Sequence, residues 1–394
     1  MSYDAPFGGL KVIDLSQGVA GPYCAMLLAQ YGADVIKVEP PSDGDWSRTL
    51  GRRYGRHTAY SIAANFGKRS IALDLKEQAG KAVLWRLLKG ADVLIEGFRP
   101  GVMGRLGFGY DEVAEREPRL LYLSVSGFGQ TGPLVGRPAM DPVLQAFTGL
   151  SVDNKGEDGI PHRVPFIVID MSTALYAFQA LSAALYARRD EQRGRRIEAS
   201  LMQSAAAMQV IRLNQVLVEG EHAKRIMPSG VFKSADGWLQ LLVVKNQHWV
   251  AFCEIMQTPE MATDPRYADP DSRARNEAEL MARVRAAIAA KPTEYWTQRL
   301  QKADIMHERL NGFREFTAHP QVAATGLISW LTVPGVPEPV AMPNIAGLPA
   351  FVDGSPRATS PEPGQHTRAI LCEHDFSDAE IASLLDSKVI DEAL

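Results

Sequence analysis

The stretch "LKVIDLSQGVAGPYCAMLLAQYGADVIKVE" runs from Leu10 to Glu39 and decides the fold. "KVIDL" (11–15) is a short apolar run with the length of a buried strand, and "SQGVAGP" (16–22) is a loop. "YCAMLLAQYG" (23–32) has helical spacing and stops at Gly32, and "DVIKVE" (34–39) reads as the next strand. A strand, a tight turn, a helix and a second strand make one parallel βαβ unit.

The same alternation continues outward. "RSIALDL" (69–75) reads as a strand, "KEQAGKAVLWRLLKG" (76–90) as a helix closed by Gly90, and "ADVLIEGF" (91–98) and "RLLYLSVSGFG" (119–129) as strands. "PFIVID" (165–170) reads as one more. The expected fold is α/β, with a parallel, doubly wound sheet. Beyond it, 200–222 reads as one long helix and 230–244 as a hairpin turning at "SADG". Helical segments fill the chain to about 325. A Pro- and Gly-rich stretch (333–365) reads as an extended connection. The last helix, "SDAEIASLLDSK", carries the S-x-x-E spacing of a capping box in Ser377 and Glu380. These patterns predict a large α/β domain over 1–222, a smaller α+β domain over 223–325, and a return segment over 326–394.

Composition narrows the function. A chain of 394 residues exceeds one ordinary core, which argues for two domains. The net charge of −4, without a basic stripe, argues against a nucleic-acid partner. No apolar run approaches the roughly 20 residues of a bilayer span, so no membrane partner is expected. The opening "MSYDAPFGGLKVIDL" has an acidic residue and goes almost directly into a strand, unlike a signal peptide. Cys24, Cys253 and Cys372 are widely spaced and odd in number, which suits a reducing cytoplasm. The eight histidines have no ligand-type spacing, so no metal is expected.

Three features carry chemistry. The loop 16–22 places Gly18 and Gly21 after the first strand, with Glu39 ending the second, as in a nicotinamide site; yet only G-x-x-G is present, not G-x-G-x-x-G. Positive charge gathers in "SRTLGRRYGRH" (47–57), "GKRS" (67–70) and "FRPGVMGR" (98–105), which suits a multiply phosphorylated ligand at the strands' carboxyl ends. "RRDEQRGRR" (188–196) mixes signs after a helix and reads as a solvated turn. Asp170 follows an apolar run and precedes a helix. It reads either as an N-cap or as a carboxylate nucleophile that a helix start keeps ionised.

Taken in order, "LKVIDLSQGVAGPYCAMLLAQYGADVIKVE", "KRSIALDLK", "LIEGFRPGVMGRLGFGYD", "SVSGFGQTGP", "MDPVLQAFTGL", "FIVIDMSTALYAFQALSAALYAR", "DGWLQL…NQHWVAFCEIM" and "PGQHT" resemble the class III CoA-transferases over essentially the whole chain. This family holds formyl-CoA and carnitine CoA-transferases and also the α-methylacyl-CoA racemases. The resemblance implies that Asp170 is the nucleophile, forming an aspartyl anhydride with the donor acyl group and then an aspartyl-CoA thioester. It implies CoA contacts at Val19 and Ala20, at Leu73, Asp74, Leu75 and Lys76, at Gly97, Phe98 and Arg99, at Arg105, and at Ala139 and Met140. Arg99 and Arg105 are the expected partners of the CoA phosphates. No permanently bound cofactor is implied; CoA and acyl-CoA are substrates, with a carboxylic acid as acceptor. The implied fold is a Rossmann-like large domain with an inserted small domain, in a homodimer of two interlocked ring-like chains.

Two departures bear on substrate. Formyl-CoA transferase has Gln where this chain has Val19 and Arg where it has Pro40, and the stretch after 222 lacks that enzyme's glycine-rich loop. Oxalate and formate are therefore unexpected, and a small or dicarboxylic acid is expected. The racemases carry a His where this chain has Met140, which moves no protons, so transfer is expected over racemisation. His162 reads as an exposed turn residue. The other readings are an acyl-CoA racemase or isomerase, a dinucleotide-dependent oxidoreductase, and a CoA-binding protein without catalysis.

Overall fold

The computed structural model describes residues 4–156, 158–220 and 226–393. It divides into two compact units, Met1–Ile211 with Gly326–Leu394, and Arg212–Thr325. The first boundary thus falls at 211/212 and not at 222/223.

The strands in chain order are β1 (Lys11–Asp14), β2 (Asp34–Glu39), β3 (Arg69–Leu73), β4 (Val93–Glu96), β5 (Leu121–Ser126) and β6 (Arg196–Ser200) in the large unit. β7 (Ser229–Lys233), β8 (Trp238–Leu242) and β9 (Met306–Arg309) form the sheet of the small unit, and β10 (Ile328–Leu331), β11 (Val340–Pro343) and β12 (Ile390–Asp391) belong to the return segment. The main sheet has the order β12-β3-β2-β1-β4-β5-β6, parallel throughout except for the antiparallel edge strand β12.

Both faces of this sheet are covered, which explains strands apolar on successive residues. Val12, Val35, Val93, Ile95, Leu121 and Leu123 point to one face, under helix α1 (Ala20–Gln30) and the helix Val168–Ala187. Ile13, Ile36, Ile71, Leu94 and Tyr122 point to the other, where the helix Gln78–Leu88 brings Val83, Leu84, Leu87 and Leu88. The return segment lays Leu331, Val333, Met342 and Phe351 on Met26, Leu27 and Phe66.

Three expectations change. "FIVID" is not a strand: helix begins at Val168, with Asp170 in its first turn. The expected helix over 200–222 is broken into Leu201–Met208, Val210–Asn214 and a π turn at Gln215–Glu219, with Ser200 capping its start by accepting from the Gln203 N–H; residues 221 and 222 lie outside the described residues. The helix Val168–Ala187 spans 20 residues and contains an 18-residue window of mean hydropathy 1.3, so one segment does match a bilayer span in length and composition. In the fold it is a core helix: Ile169, Ala174, Ala177 and Leu181 are buried under the sheet while Leu175, Tyr176 and Tyr186 are exposed. The hairpin β7–β8 and the Ser377–Glu380 capping box form as the sequence predicts.

Candidate active site

The first loop rests on a buried charge network. Gly18 has φ +83, and a Cβ there would stand 2.3 Å from the Trp46 ring; at Gly21 it would stand 2.4 Å from Ser16 Cβ. The Gly18 N–H donates to both Asp45 oxygens, at 2.9 and 3.1 Å. Lys37 donates to Asp45 at 3.0 Å, and Lys68 to Asp14 at 2.8 Å, all four side chains being fully buried. Arg48 grips Glu39 with two bonds of 2.6 and 2.8 Å and also donates to the Pro361 carbonyl. Burial would raise the Glu39 carboxyl, but the Arg48 guanidinium outweighs it and holds it down at about 2. Burial pulls Lys68 down to about 8 against the attraction of Asp14.

This network corrects two readings. Glu39 is committed to Arg48, so it is not a ribose ligand, and the nicotinamide reading loses its acid. Arg48 and Lys68, central to two of the basic clusters, are internal counter-ions and not phosphate ligands. Arg188, read as part of a solvated turn, bonds Asp92 at 2.6 Å and the carbonyls of Asp92 and Arg119.

The strand order reverses between β1 and β4, and the loops leaving these two strands part there. A cavity of about 360 Å³ opens at that place. Gln17, Val19, Ala20 and Gly21 come from the first loop, Gly97 and Arg99 from the loop after β4, and Ser126 and Gly127 from the end of β5. Val125, Trp46, Ala139, Met140, Leu201 and Asp170 complete it. α1 begins in its wall; its N-cap residue Val19 makes no side-chain cap bond, and Ala20 and Gly21 carry the first N–H groups, since Pro22 has none.

Asp170 is not the cap of its own helix. The N-cap position is Ile167, which makes no side-chain cap bond. Asp141, 28 and 29 residues earlier, does this work: its Oδ2 accepts the N–H groups of Ile169 at 2.6 Å and Asp170 at 3.1 Å. Gln145, one helical turn on, donates to Asp141 Oδ1 at 2.5 Å and accepts from the Val164 N–H at 2.8 Å. The pair therefore pins the whole approach to Asp170. Burial, and then the neighbouring Asp141 charge, push the Asp170 carboxyl up to about 7. The expectation that the helix start holds it ionised is overturned, because desolvation and a like charge prevail.

The other expected contacts divide. Phe98 lines an adjoining cavity of about 480 Å³, which shares Gly97, Arg99, Ser126, Gly127, Ala139 and Met140 with the first. Leu73, Asp74, Leu75, Lys76 and Arg105 line neither cavity. Leu73 packs in the core at 1% exposure. The Asp74 carboxylate accepts the Lys76 N–H, its own N–H donates to the Val389 carbonyl, and Leu75 packs partly buried beneath them. Lys76 and Arg105 are exposed, beyond the carboxyl ends of β3 and β4. His162 is exposed beside Asp158 and lines neither cavity. Gln17, Trp46, Ser126, Asp141 and Gln145 had gone unremarked in the sequence; only the four-residue spacing of Asp141 and Gln145 in "MDPVLQ" signals a shared helix face.

A carboxylate, a cation and an open helix start around one crevice suit nucleophilic acyl chemistry on an anionic ligand. The profile of CoA-transferase family III matches residues 7–367. The chain belongs to CoA-transferase family III. This family III enzyme is 36% identical to the acetyl-CoA:oxalate CoA-transferase of Acetobacter aceti, over 82% of this chain and 85% of that one. It is 31% identical to human succinyl-CoA:glutarate CoA-transferase, over 98% and 90%. Among solved structures, Rv3272 of Mycobacterium tuberculosis superposes with a TM-score of 0.82 at 30% identity, over 93% of this chain and 99% of that one. A CAIB/BAIF family protein of Brucella suis gives the same score at 28% identity, over 94% and 100%. The large parallel sheet is thus that of the family, and the activity is that of a CoA-transferase acting on CoA thioesters.

Proposed function

We propose that this enzyme carries CoA from an acyl-CoA donor to a carboxylic acid through covalent intermediates on Asp170. One observation carries the reading: the carboxyl that shares its cavity with Arg99 is raised by burial and by Asp141. A carboxylate made costly in this way gains by becoming neutral, and both an aspartyl anhydride and an aspartyl-CoA thioester are neutral. Attack of Asp170 on the thioester releases CoA thiolate and forms the anhydride. Return of the thiolate frees the donor acid and leaves the aspartyl-CoA thioester, and the acceptor carboxylate runs the steps backward. Holding the reactants in one crevice supplies effective molarity. The apolar surroundings of Val19, Ala139, Met140 and Leu201 limit hydrolysis.

Arg99 and Arg105 are assigned to the CoA phosphates, and Leu73 to Lys76 to the outer path of CoA. Dicarboxylic acids are the proposed acceptors, in keeping with the glutarate in one relative's name; the oxalate in another's runs against the expectation that oxalate is excluded and returns it to the candidates. A homodimer of interlocked chains accounts for the apolar Phe147, Val152, Leu175 and Tyr176, exposed in the single chain. The three free cysteines keep the cytoplasm as the proposed compartment. Neither a membrane nor nucleic acid is a proposed partner.

The test is incubation with succinyl-CoA or acetyl-CoA in heavy water, followed by masses of the protein, its peptides and the recovered thioester. A CoA adduct on the Asp170 peptide, absent from Asp170→Ala, is the expected result. Deuterium at the α-carbon without an adduct would replace transfer by racemisation.

A further inference from the structure

Ser126 is the last residue of β5, at the carboxyl end of the sheet. The residue is 7% exposed, and among the described residues its Oγ has no hydrogen-bond partner. It lines both the Asp170 cavity and the adjoining one. A buried polar group left without a partner is costly, and a bond made only when a ligand is present would account for its place. Its backbone is held firmly: a Cβ on Gly127 would stand 2.2 Å from Ala139 Cβ, and Gly127 accepts the Met202 N–H. The same cavity contains the uncapped start of α1, with Val19, Ala20 and Gly21 in its wall. A nucleophile, an orphan hydroxyl and the backbone of a helix start without a side-chain cap therefore line one space of about 360 Å³.

We propose that Ser126 is a catalytic residue whose hydroxyl, with the N–H groups at the start of α1, receives the oxyanion formed at the reacting carbonyl. This rests on the Asp170 reading. An Asp170 oxygen forms a bond to the thioester carbon, and the π pair of the carbonyl moves onto its oxygen. That oxyanion accepts a hydrogen bond from Ser126 Oγ–H, reached by rotation of χ1, and from the helix start. As the carbonyl re-forms, the carbon–sulfur bond breaks and its electron pair leaves on sulfur as CoA thiolate. Ser126 keeps its proton throughout, which separates it from a general acid. The same donors serve the last step, in which CoA thiolate attacks the acceptor's acyl carbon in the second anhydride; in the two steps between, the attacked carbon is that of Asp170 itself.

The test is Ser126→Ala in single-turnover formation of the Asp170–CoA adduct from succinyl-CoA or acetyl-CoA, read by mass, with steady-state constants and thermal midpoint. The adduct is expected to form about 100-fold more slowly, with acyl-CoA KM within about twofold and a midpoint equal to or above wild type, since the orphan hydroxyl is gone. Ser126→Thr, which keeps a hydroxyl, should recover most of the rate. Adduct formation at the wild-type rate in Ser126→Ala overturns the role of Ser126 and leaves Asp170 as nucleophile. A lowered midpoint with KM rising in step with the lost rate makes Ser126 a packing residue and also overturns it. Absence of any adduct in the wild-type enzyme removes the Asp170 reading itself and this inference with it.

Discussion

Replacing Asp170 by Asn keeps the side chain's size and removes its charge, so it isolates what that charge costs the fold. In the folded enzyme the carboxyl is raised from 3.8 to about 7. Each pKa unit corresponds to about 1.4 kcal/mol, which sets a ceiling of about 4 kcal/mol. Asp170 is only partly buried, and solvent reduces the sum to about 1–2 kcal/mol. The sign follows from the direction of the shift. A raised carboxyl lends stability that is whole below its unfolded value and is lost as pH rises through its folded value. Asp170→Asn should therefore match wild type near pH 4 and exceed it at pH 8 by about 1–2 kcal/mol, or about 2–3 °C in midpoint for a unit of this size. Scanning calorimetry from pH 4 to 8 reads this, and kcat/KM for acyl-CoA in the wild type should rise with an inflection near 7. A variant no more stable than wild type at pH 8, or equally more stable at every pH, would refute the electrostatic account of Asp170.

Arg48→Ala leaves Glu39 buried and unpaired, and should cost about 3–5 kcal/mol in denaturant unfolding. Replacing both Arg48 and Glu39 by apolar residues should return most of it. Asp141→Ala should loosen the start of the Asp170 helix by about 1–2 kcal/mol. It should also move the inflection of the pH–rate profile to lower pH, because the like charge beside Asp170 is gone.

The alternating half of the chain was legible because its strands are apolar on both faces and its helices end at glycines with positive φ, such as Gly32 and Gly90. The run Phe166–Ile169 was not. Its β-branched residues favour a strand, but the helix there is started by the Asp141 carboxylate, whose place in space no local pattern shows. The basic clusters misled for a related reason. The counter-ions of Arg48 and Lys68 are Glu39 and Asp14, which end β2 and β1, and Asp14 is 54 residues from Lys68. Of the site, Asp170, Arg99, Val19 and Met140 could be placed through the family resemblance. Ser126 could not, because only the structure shows that its hydroxyl has no partner.

The hydrogen bonds that complete the large unit span the chain almost end to end. Gln30 donates to the Arg357 carbonyl, Arg48 to that of Pro361, and β12 pairs with the edge of β3. A ribosome adds about 5–20 residues per second, so tens of seconds separate the synthesis of β3 from that of its neighbour. During that interval β3 is an open edge, a template for pairing with another chain, and Arg48 lacks one of its acceptors. The contiguous unit Arg212–Thr325 emerges whole and can fold meanwhile. A nascent chain of this enzyme is therefore vulnerable to aggregation at one known place, and holdase chaperones that cover the β3 edge should raise its yield more than those acting after release.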